Sequence, residues 1–499
     1  MGREGYNTPH EARDRHDGGP RQGVVVRRTA DAANPVLSAA PVASAADFTR
    51  TTDLPEPLPF AERPWWPAAA VAAGLWALLV HVALWWLDGH PSPRHLWGDE
   101  ATYLESAARL LAGDPGWWPE PLWPPLYPQF LAGLTWLGGG SLVVVRVVQS
   151  LLLAVVAVLL ADLTGRMTGS RAAAMAAAAL TLGYPPLAAF AHYLWPEVLH
   201  LFLFVALLWL LVVRWAAPGW CAVAGIALGL ALLAKSLLLP FAPVLLVAAA
   251  WRSRPREAAA RIAVVALCAA LVVAPTLAAN ARRLGSPVLA GSGLFNLWVG
   301  LSDVGRESFV RDVAWPEYKA WRASAPDFAG RQRVLRTKIV ELLRQRGLGE
   351  VLADQLSRQY FRLFDVGCYL TDQLPGGPAH ELSEVGYRDL GRGPAQVVRG
   401  VTAAAVLLLF VAAPLGLVLG GCRRHRWLRV LLLFLAYNLL LFLWFHVKTR
   451  YRIQLLPVGF VGVGCLVAWV EGGCRPRPSG WRVATALLAV AVLVALAIA

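Results

Sequence analysis

Charge is what this sequence lacks most. Only 16% of its 499 residues are Asp, Glu, Lys or Arg, while 57% are hydrophobic. Soluble domains average roughly 25% charged and about 50% apolar. With a mean hydropathy of +0.51, an ordinary soluble globule is excluded. A chain so rich in apolar mass is not disordered over most of its length either. Cysteine is scarce: Cys221, Cys268, Cys368, Cys422, Cys465 and Cys474 contain no C-x-x-C pair, which argues against a cysteine-held zinc. No internal repeat is visible, which weakens a transporter built from repeated halves. The first 64 residues lack the apolar centre of a cleavable signal peptide. They are rich in Arg, Asp, Pro and Ala and read as a disordered cytoplasmic tail. The first apolar run would then be an uncleaved anchor.

What is present is a series of apolar runs near the roughly 20 residues that cross a bilayer. The expected fold is an all-α polytopic membrane protein. Hydropathy places about eleven spans, near 66–87, 141–165, 172–190, 196–213, 217–234, 238–251, 259–279, 397–419, 428–445, 453–471 and 481–498. The run 238–251 is short, so its helix begins earlier or tilts. The net charge is +14, yet it does not point to nucleic acid, because arginines cluster in short gaps between spans. One alternate set holds Arg166 and Arg171; Arg214; Arg252, Arg254, Arg256 and Arg261; Arg423, Arg424, Arg426 and Arg429; then Arg475, Arg477 and Arg482. Anionic lipid and the positive-inside rule place that set in the cytoplasm. The amino terminus is then inside and the carboxyl terminus outside. Two long segments, 88–140 and 280–396, fall outside; only Cys368 lies there, so no intramolecular disulfide is expected on that side. The expected organisation is a tail at 1–64, an N-terminal transmembrane module at 65–279 including the loop 88–140, an external cap at 280–396 with helical stretches such as Val334 to Arg346, and C-terminal helices at 397–499. The 22 tryptophans suit aromatic belts at the membrane surfaces.

The loop after the first span reads His95-Leu-Trp-Gly-Asp-Glu-Ala-Thr-Tyr103. Leu104, Ala107, Ala108 and Leu111 then follow a helical period that Gly113-Asp-Pro115 ends, as in a helix lying along the interface. Two readings of the acids fit. In one, Asp99 is an N-cap and Glu100 a first-turn partner of the helix dipole. In the other, the pair is a general base with a neighbour that tunes it or shares a divalent cation. Next comes Trp117-Trp-Pro-Glu-Pro-Leu-Trp-Pro-Pro-Leu-Tyr-Pro128, either an interfacial anchor or a site in which Tyr127 meets a lipid phosphate and aromatics stack on a sugar.

The order of these motifs resembles the GT-C membrane glycosyltransferases, nearest to glycosyltransferase family 39 and the aminoarabinose-transferase-like group, which includes the protein O-mannosyltransferases. The residues that carry it are Gly98-Asp-Glu-Ala-Thr-Tyr103, Pro124-Pro-Leu-Tyr-Pro128, Arg146-Val-Val-Gln149, Ala234-Lys-Ser-Leu-Leu-Leu-Pro240, Asn280-Ala-Arg-Arg-Leu-Gly-Ser-Pro287, Gly293-Leu-Phe-Asn-Leu-Trp298, Lys448-Thr-Arg-Tyr-Arg452 and Leu455-Leu-Pro457. They span about 66–471. Trp123 stands where the family often has lysine, so a donor-phosphate contact there is missing or supplied elsewhere. Residues 300–396 match no motif of the family.

The resemblance implies a GT-C-type bundle with interfacial helices and an external cap. It also implies a hexosyl- or pentosyltransferase. That enzyme would move a sugar from a polyprenyl-phosphate donor to a protein, lipid or glycan acceptor on the outer face, with inversion. Asp99 would deprotonate the acceptor hydroxyl, and Glu100 would assist or help bind a cation; metal dependence stays open. Lys235, Arg450, Arg452 and Tyr127 are the candidates for the donor phosphate. Glu197, Tyr103 and Asn296 are candidates for acceptor or sugar contact. Each has a plainer reading: Lys235 snorkels to the interface, Arg450 and Arg452 meet lipid headgroups, Glu197 follows Pro196 as a first-turn acid, and Asn296 makes a turn. The expected location is a bacterial plasma membrane. The competing function is a lipid or small-solute transporter without glycosyl transfer. It explains the spans but not an acid pair on an interfacial helix beneath a large cap.

Overall fold

The computed structural model describes residues 75, 76, 79, 82, 94–118, 123–302, 314–382, 386, 387, 389–420, 425–473 and 477–498. In chain order the helices are α1 (Glu100–Leu111), α2 (Leu126–Leu137), α3 (Leu142–Thr168), α4 (Arg171–Gly183), α5 (Pro185–Phe190), α6 (Glu197–Trp209), α7 (Pro218–Ala234), α8 (Ala242–Ala250), α9 (Pro255–Leu284), α10 (Gly293–Leu301), α11 (Ala314–Ala323), α12 (Phe328–Arg346), α13 (Leu348–Arg358), α14 (Tyr369–Asp372), α15 (Pro378–Leu382), α16 (Arg392–Leu419), α17 (Arg426–Phe442), α18 (Leu456–Glu471) and α19 (Gly480–Ile498). Tight 3-10 turns at Ser236–Phe241 and Thr449–Leu455 lead into α8 and α18. The fold is all-α; His95 and Gly386 form an isolated antiparallel bridge.

Local chemistry explains the boundaries. Ser141 caps α3 by accepting from the Val143 amide, and Gly169 ends it at φ 71°. Ser170 then caps α4 through the Ala173 amide at 2.9 Å. Two residues therefore turn the chain between two apolar helices. Asp327 caps α12, so the helix expected at Val334 to Arg346 begins earlier, at Phe328. The short 238–251 run begins early, as a 3-10 turn from Ser236. The 172–190 run breaks at Gly183–Tyr184 into α4 and α5. The expected span 66–87 lies outside the described residues except for four positions.

Among the described residues, six helices or helix-and-turn units are long and apolar enough to cross a membrane: Leu142–Thr168, Glu197–Arg214, Pro255–Leu284, Arg392–Leu419, Thr449–Glu471 and Gly480–Ile498. The protein is a multi-pass membrane protein. Small residues set its closest helix contacts, as is usual where burial against lipid gives no hydrophobic drive. A Cβ on Gly225 would lie 2.5 Å from the Val265 carbonyl, and one on Gly416 would collide with the Gly462 carbonyl. Outward faces stay apolar, with Leu267, Leu271, Leu408 and Leu488 exposed.

The two ends of this bundle differ. At one, Arg166 pairs with Asp162 at 2.7 Å, Arg214 lies 5.6 Å over Trp209, and Arg261 reaches Ser253 at 3.3 Å. Arg482 is bound there by the Val418 and Leu419 carbonyls. Arg166, Arg214, Arg261 and Arg482, from the alternate short gaps, thus lie at one end. At the other end lie the loops at 94–99, 191–196, 235 and 446–452. The 365–387 segment joins them, through Arg452 to the Asp365 carbonyl at 2.6 Å and His95 to Gly386 at 3.0 Å. The rest of the segment expected as a cap has small cores of its own, one formed by Phe295, Val299, Tyr318, Trp321 and Leu335.

Candidate active site

The amino-terminal turn of α1 separates two adjacent acids. Asp99 occupies the cap position, but its side chain makes no capping bond. Glu100 turns back instead: Oε2 accepts from the Trp97 amide at 2.8 Å, and Oε1 from the Leu194 amide at 2.8 Å. Both oxygens also receive the Arg94 guanidinium, at 2.9 and 2.7 Å. Neither side chain of this pair is exposed at all. Arg94 further donates to Gln373 Oε1 at 2.7 Å and lies 4.3 Å over the Tyr193 ring. Burial alone would pull the Arg94 pKa down; the Glu100 charge and hydrogen bonds outweigh it and hold the guanidinium above its ordinary value.

Asp99 faces a different cation. Its Oδ2 is 3.3 Å from an Arg450 nitrogen, and its side chain remains 30% exposed. Arg450 stacks 4.0 Å over Trp195, with Tyr451 at 5.4 Å and Tyr369 at 5.7 Å. Beside them, Lys235 Nζ meets Glu197 Oε1 at 2.9 Å, while buried Glu197 Oε2 has no hydrogen-bond partner. Lys235 stands at an extended break after α7, not inside a helix. Arg450 and Lys235 are within electrostatic reach of one another. Tyr103 is buried between Trp123, Tyr127 and Trp195, with ring centroids 5.0, 5.2 and 6.2 Å away. Burial first, then the Asp99 charge, pushes its hydroxyl well above the ordinary pKa. Asp99, Arg450, Glu197, Lys235 and Tyr103 therefore form one cluster, drawn from four parts of the chain.

Other expected residues go elsewhere. Glu100 does not share a ligand with Asp99, since its oxygens are engaged by Arg94 and two amides. Asp99 faces a guanidinium instead, so the two adjacent acids do not make a joint donor set for a divalent cation. Among the described residues no group of three or more His, Cys, Asp or Glu stands together as a metal site. Arg452 is committed to the Asp365 and Gly367 carbonyls. The reason is the 3-10 turn: at three residues per turn, positions 450 and 452 leave on different sides. Tyr127 donates its hydroxyl to Gln149 at 2.9 Å and is buried, so it braces α2 against α3. Asn296 sits half-buried on α10, its carbonyl accepting from the His446 amide at 3.3 Å. The buried line of α1 runs through Glu100, Tyr103 and Ala107. It does not follow the full stripe Leu104, Ala107, Ala108 and Leu111; the Tyr103 ring contacts rotate the helix, leaving Ala108 and Leu111 exposed.

Sequence reasoning missed Arg94, Gln373, Tyr369 and the Trp195 stack. A lone arginine five residues before an acid pair is a usable signal for Arg94. Nothing local marks Gln373, which lies 279 residues from its partner.

An all-α bundle with two acids and two cations gathered at one end defines a multi-pass membrane protein with a polar site at a membrane surface. Residues 123–278 match the family described as dolichyl-phosphate-mannose-protein mannosyltransferase. This bears out the recognition of a GT-C-type membrane glycosyltransferase. The matched stretch contains Tyr127, Glu197 and Lys235 and ends short of Arg450. A solved structure, ArnT from Cupriavidus metallidurans bound to undecaprenyl phosphate, is similar at 15% identity, covering 85% of this chain and 77% of that one, with a TM-score of 0.34. At that score no residue correspondence follows. No curated protein matches the sequence significantly.

Proposed function

We propose that the protein transfers a sugar from a polyprenyl-phosphate carrier to an acceptor hydroxyl on the extracytoplasmic face of a bacterial plasma membrane. The observation that carries this reading is the Asp99 carboxylate. It is released from helix capping, 30% exposed, and 3.3 Å from a cation on the 3-10 turn Thr449–Leu455. Sidedness is argued from the arginines of the opposite end, which suit the cytoplasm. Nucleotide sugars are cytosolic, so an outward site draws on a lipid-linked donor.

Asp99 takes the proton of the acceptor hydroxyl. The oxygen attacks the anomeric carbon from the side opposite the phosphate, the bond from that carbon to the phosphate oxygen breaks, and configuration inverts. The departing polyprenyl phosphate gains negative charge, which Arg450 and Lys235 stabilise. Glu197 holds Lys235 with one oxygen and offers the other to a sugar hydroxyl. Glu100 holds the loop that carries Asp99. Tyr103, kept protonated, serves as a donor on the sugar side.

The test uses the purified chain in lipid nanodiscs with a panel of undecaprenyl-phosphate-linked hexoses and pentoses and envelope glycan or protein as acceptor. Release of undecaprenyl phosphate with an inverted product supports the reading. Full turnover by Asp99→Asn removes Asp99 from the chemistry, and transport of the intact lipid without sugar transfer sinks the proposal.

A further inference from the structure

Trp195 touches the cation and the residue before the acid, although it is neither acid nor cation. Its indole is 2% exposed. One ring face carries the Arg450 guanidinium, with Cζ 4.0 Å from the centroid. Its edge meets the loop before Asp99: a Cβ on Gly98 would lie 3.2 Å from Trp195 Cζ2, and Gly98 has φ 61°. Tyr369 packs edge-on at 5.5 Å and 84°. The backbone beneath is fixed, because the Leu194 amide donates to Glu100 Oε1 at 2.8 Å and Pro196 opens α6. The indole is thus wedged between the residue before the acid and the cation that faces the acid.

The manner of holding matters. A guanidinium has five N–H donors around its edge and none on its faces. A carboxylate partner would occupy edge donors; an aromatic face leaves them available. Arg450 makes one 3.3 Å contact to Asp99 and a side-chain hydrogen bond with Tyr451, and its buried Nε has no hydrogen-bond partner. Stacking therefore fixes the plane of the guanidinium, and the edge donors not taken by Asp99 and Tyr451 are left for an anion.

We propose that Trp195 is a positioning residue that orients Arg450 toward the donor phosphate and spaces it from Asp99. This rests on the assignment of Arg450 to the phosphate, so the experiment separates the two. The probe is undecaprenyl phosphate, bound to the full chain in nanodiscs and followed by native mass spectrometry. Arg450→Ala tests the assignment; unchanged affinity there overturns it and the inference built on it. Trp195→Phe keeps a ring face, while Trp195→Met has similar bulk and none. Trp195→Phe is expected within about threefold of the parent and Trp195→Met about 10- to 30-fold weaker, the range of a desolvated cation–π contact. Both variants leave a similar void, so a shared folding defect lowers them together. Trp195→Met in the Arg450→Ala background should cost nothing further. If Arg450→Ala weakens binding but Phe and Met at 195 bind alike, or if the double variant loses more, the positioning role is refuted and the phosphate assignment stands.

Discussion

Asp99 and Glu100 are neighbours in the chain and opposites in the fold. Around Glu100 everything is closed: an unexposed ion pair, two backbone amides and Gln373, with hydrogen bonds of 2.7 to 2.9 Å. Around Asp99 the contacts are few and long, the carboxylate is part-exposed, and the opposing cation is held by ring faces. A buried ion pair held on both carboxylate oxygens resists change, because removing one partner strands the other. An open pair lets a ligand compete for the cation and a proton reach the acid. Sequence adjacency thus conceals a division of labour, one acid building the loop and the next acting from it.

The sharpest way to break that comparison is to neutralise each acid in turn. Asp99→Asn is expected to lower turnover about 10²- to 10⁴-fold, the usual worth of a general base, with undecaprenyl phosphate still binding and the melting temperature nearly unchanged. Glu100→Gln is expected to do the reverse in kind. It leaves Arg94 buried without its counter-charge, at a cost of about 3–5 kcal/mol, seen as a large fall in melting temperature or in folded yield. Should Glu100→Gln fold normally and lose only activity, the division between the two acids fails.

How far the sequence reveals this arrangement depends on the range of each contact. The membrane class, the long apolar helices among the described residues, and the candidates Asp99, Lys235, Arg450 and Glu197 follow from hydropathy and motif order, because both are local in the chain. The pairings do not, since Lys235 meets Glu197 across 38 positions and Arg450 meets Asp99 across 351. Asp99 occupies the cap position without a capping bond, and Glu100 is held by Arg94 nearby and by the distant Leu194 amide, a contact that no local pattern shows. Arg452 looked equivalent to Arg450 until a 3-10 turn sent the two apart. Local pattern fixes which residues are chemically equipped, and tertiary contact decides which of them meet.

A smaller effect sharpens the open half of the comparison. If Lys235 is a phosphate cation, Lys235→Met should weaken undecaprenyl phosphate binding about tenfold, roughly 1.4 kcal/mol. If instead it serves only to neutralise Glu197, affinity stays level and Glu197→Gln restores whatever stability Lys235→Met loses. The same binding measurement with Arg452→Gln should show no change, since that guanidinium is bound by backbone carbonyls.

The smallest effect lies on the closed side, one residue before Gln373. The Asp372 carboxyl is pushed up from 3.8 to about 7, chiefly by burial, with Asp365 adding to the shift and Arg452 and Arg399 opposing it. An acid raised in this way binds its proton more tightly in the folded chain than in the unfolded one. Its favourable contribution is complete below about pH 4, falls as pH rises, and is lost once pH passes about 7. The segment that carries Gln373 onto Arg94 should therefore loosen in mild alkali. Between pH 5 and 8 the parent's melting temperature should decline more steeply than that of Asp372→Asn, whose amide does not ionise, and the gap should be widest at pH 8. Parallel slopes would mean that Asp372 finds a compensating charge when ionised, and that the closed side tolerates a charge as the open side does.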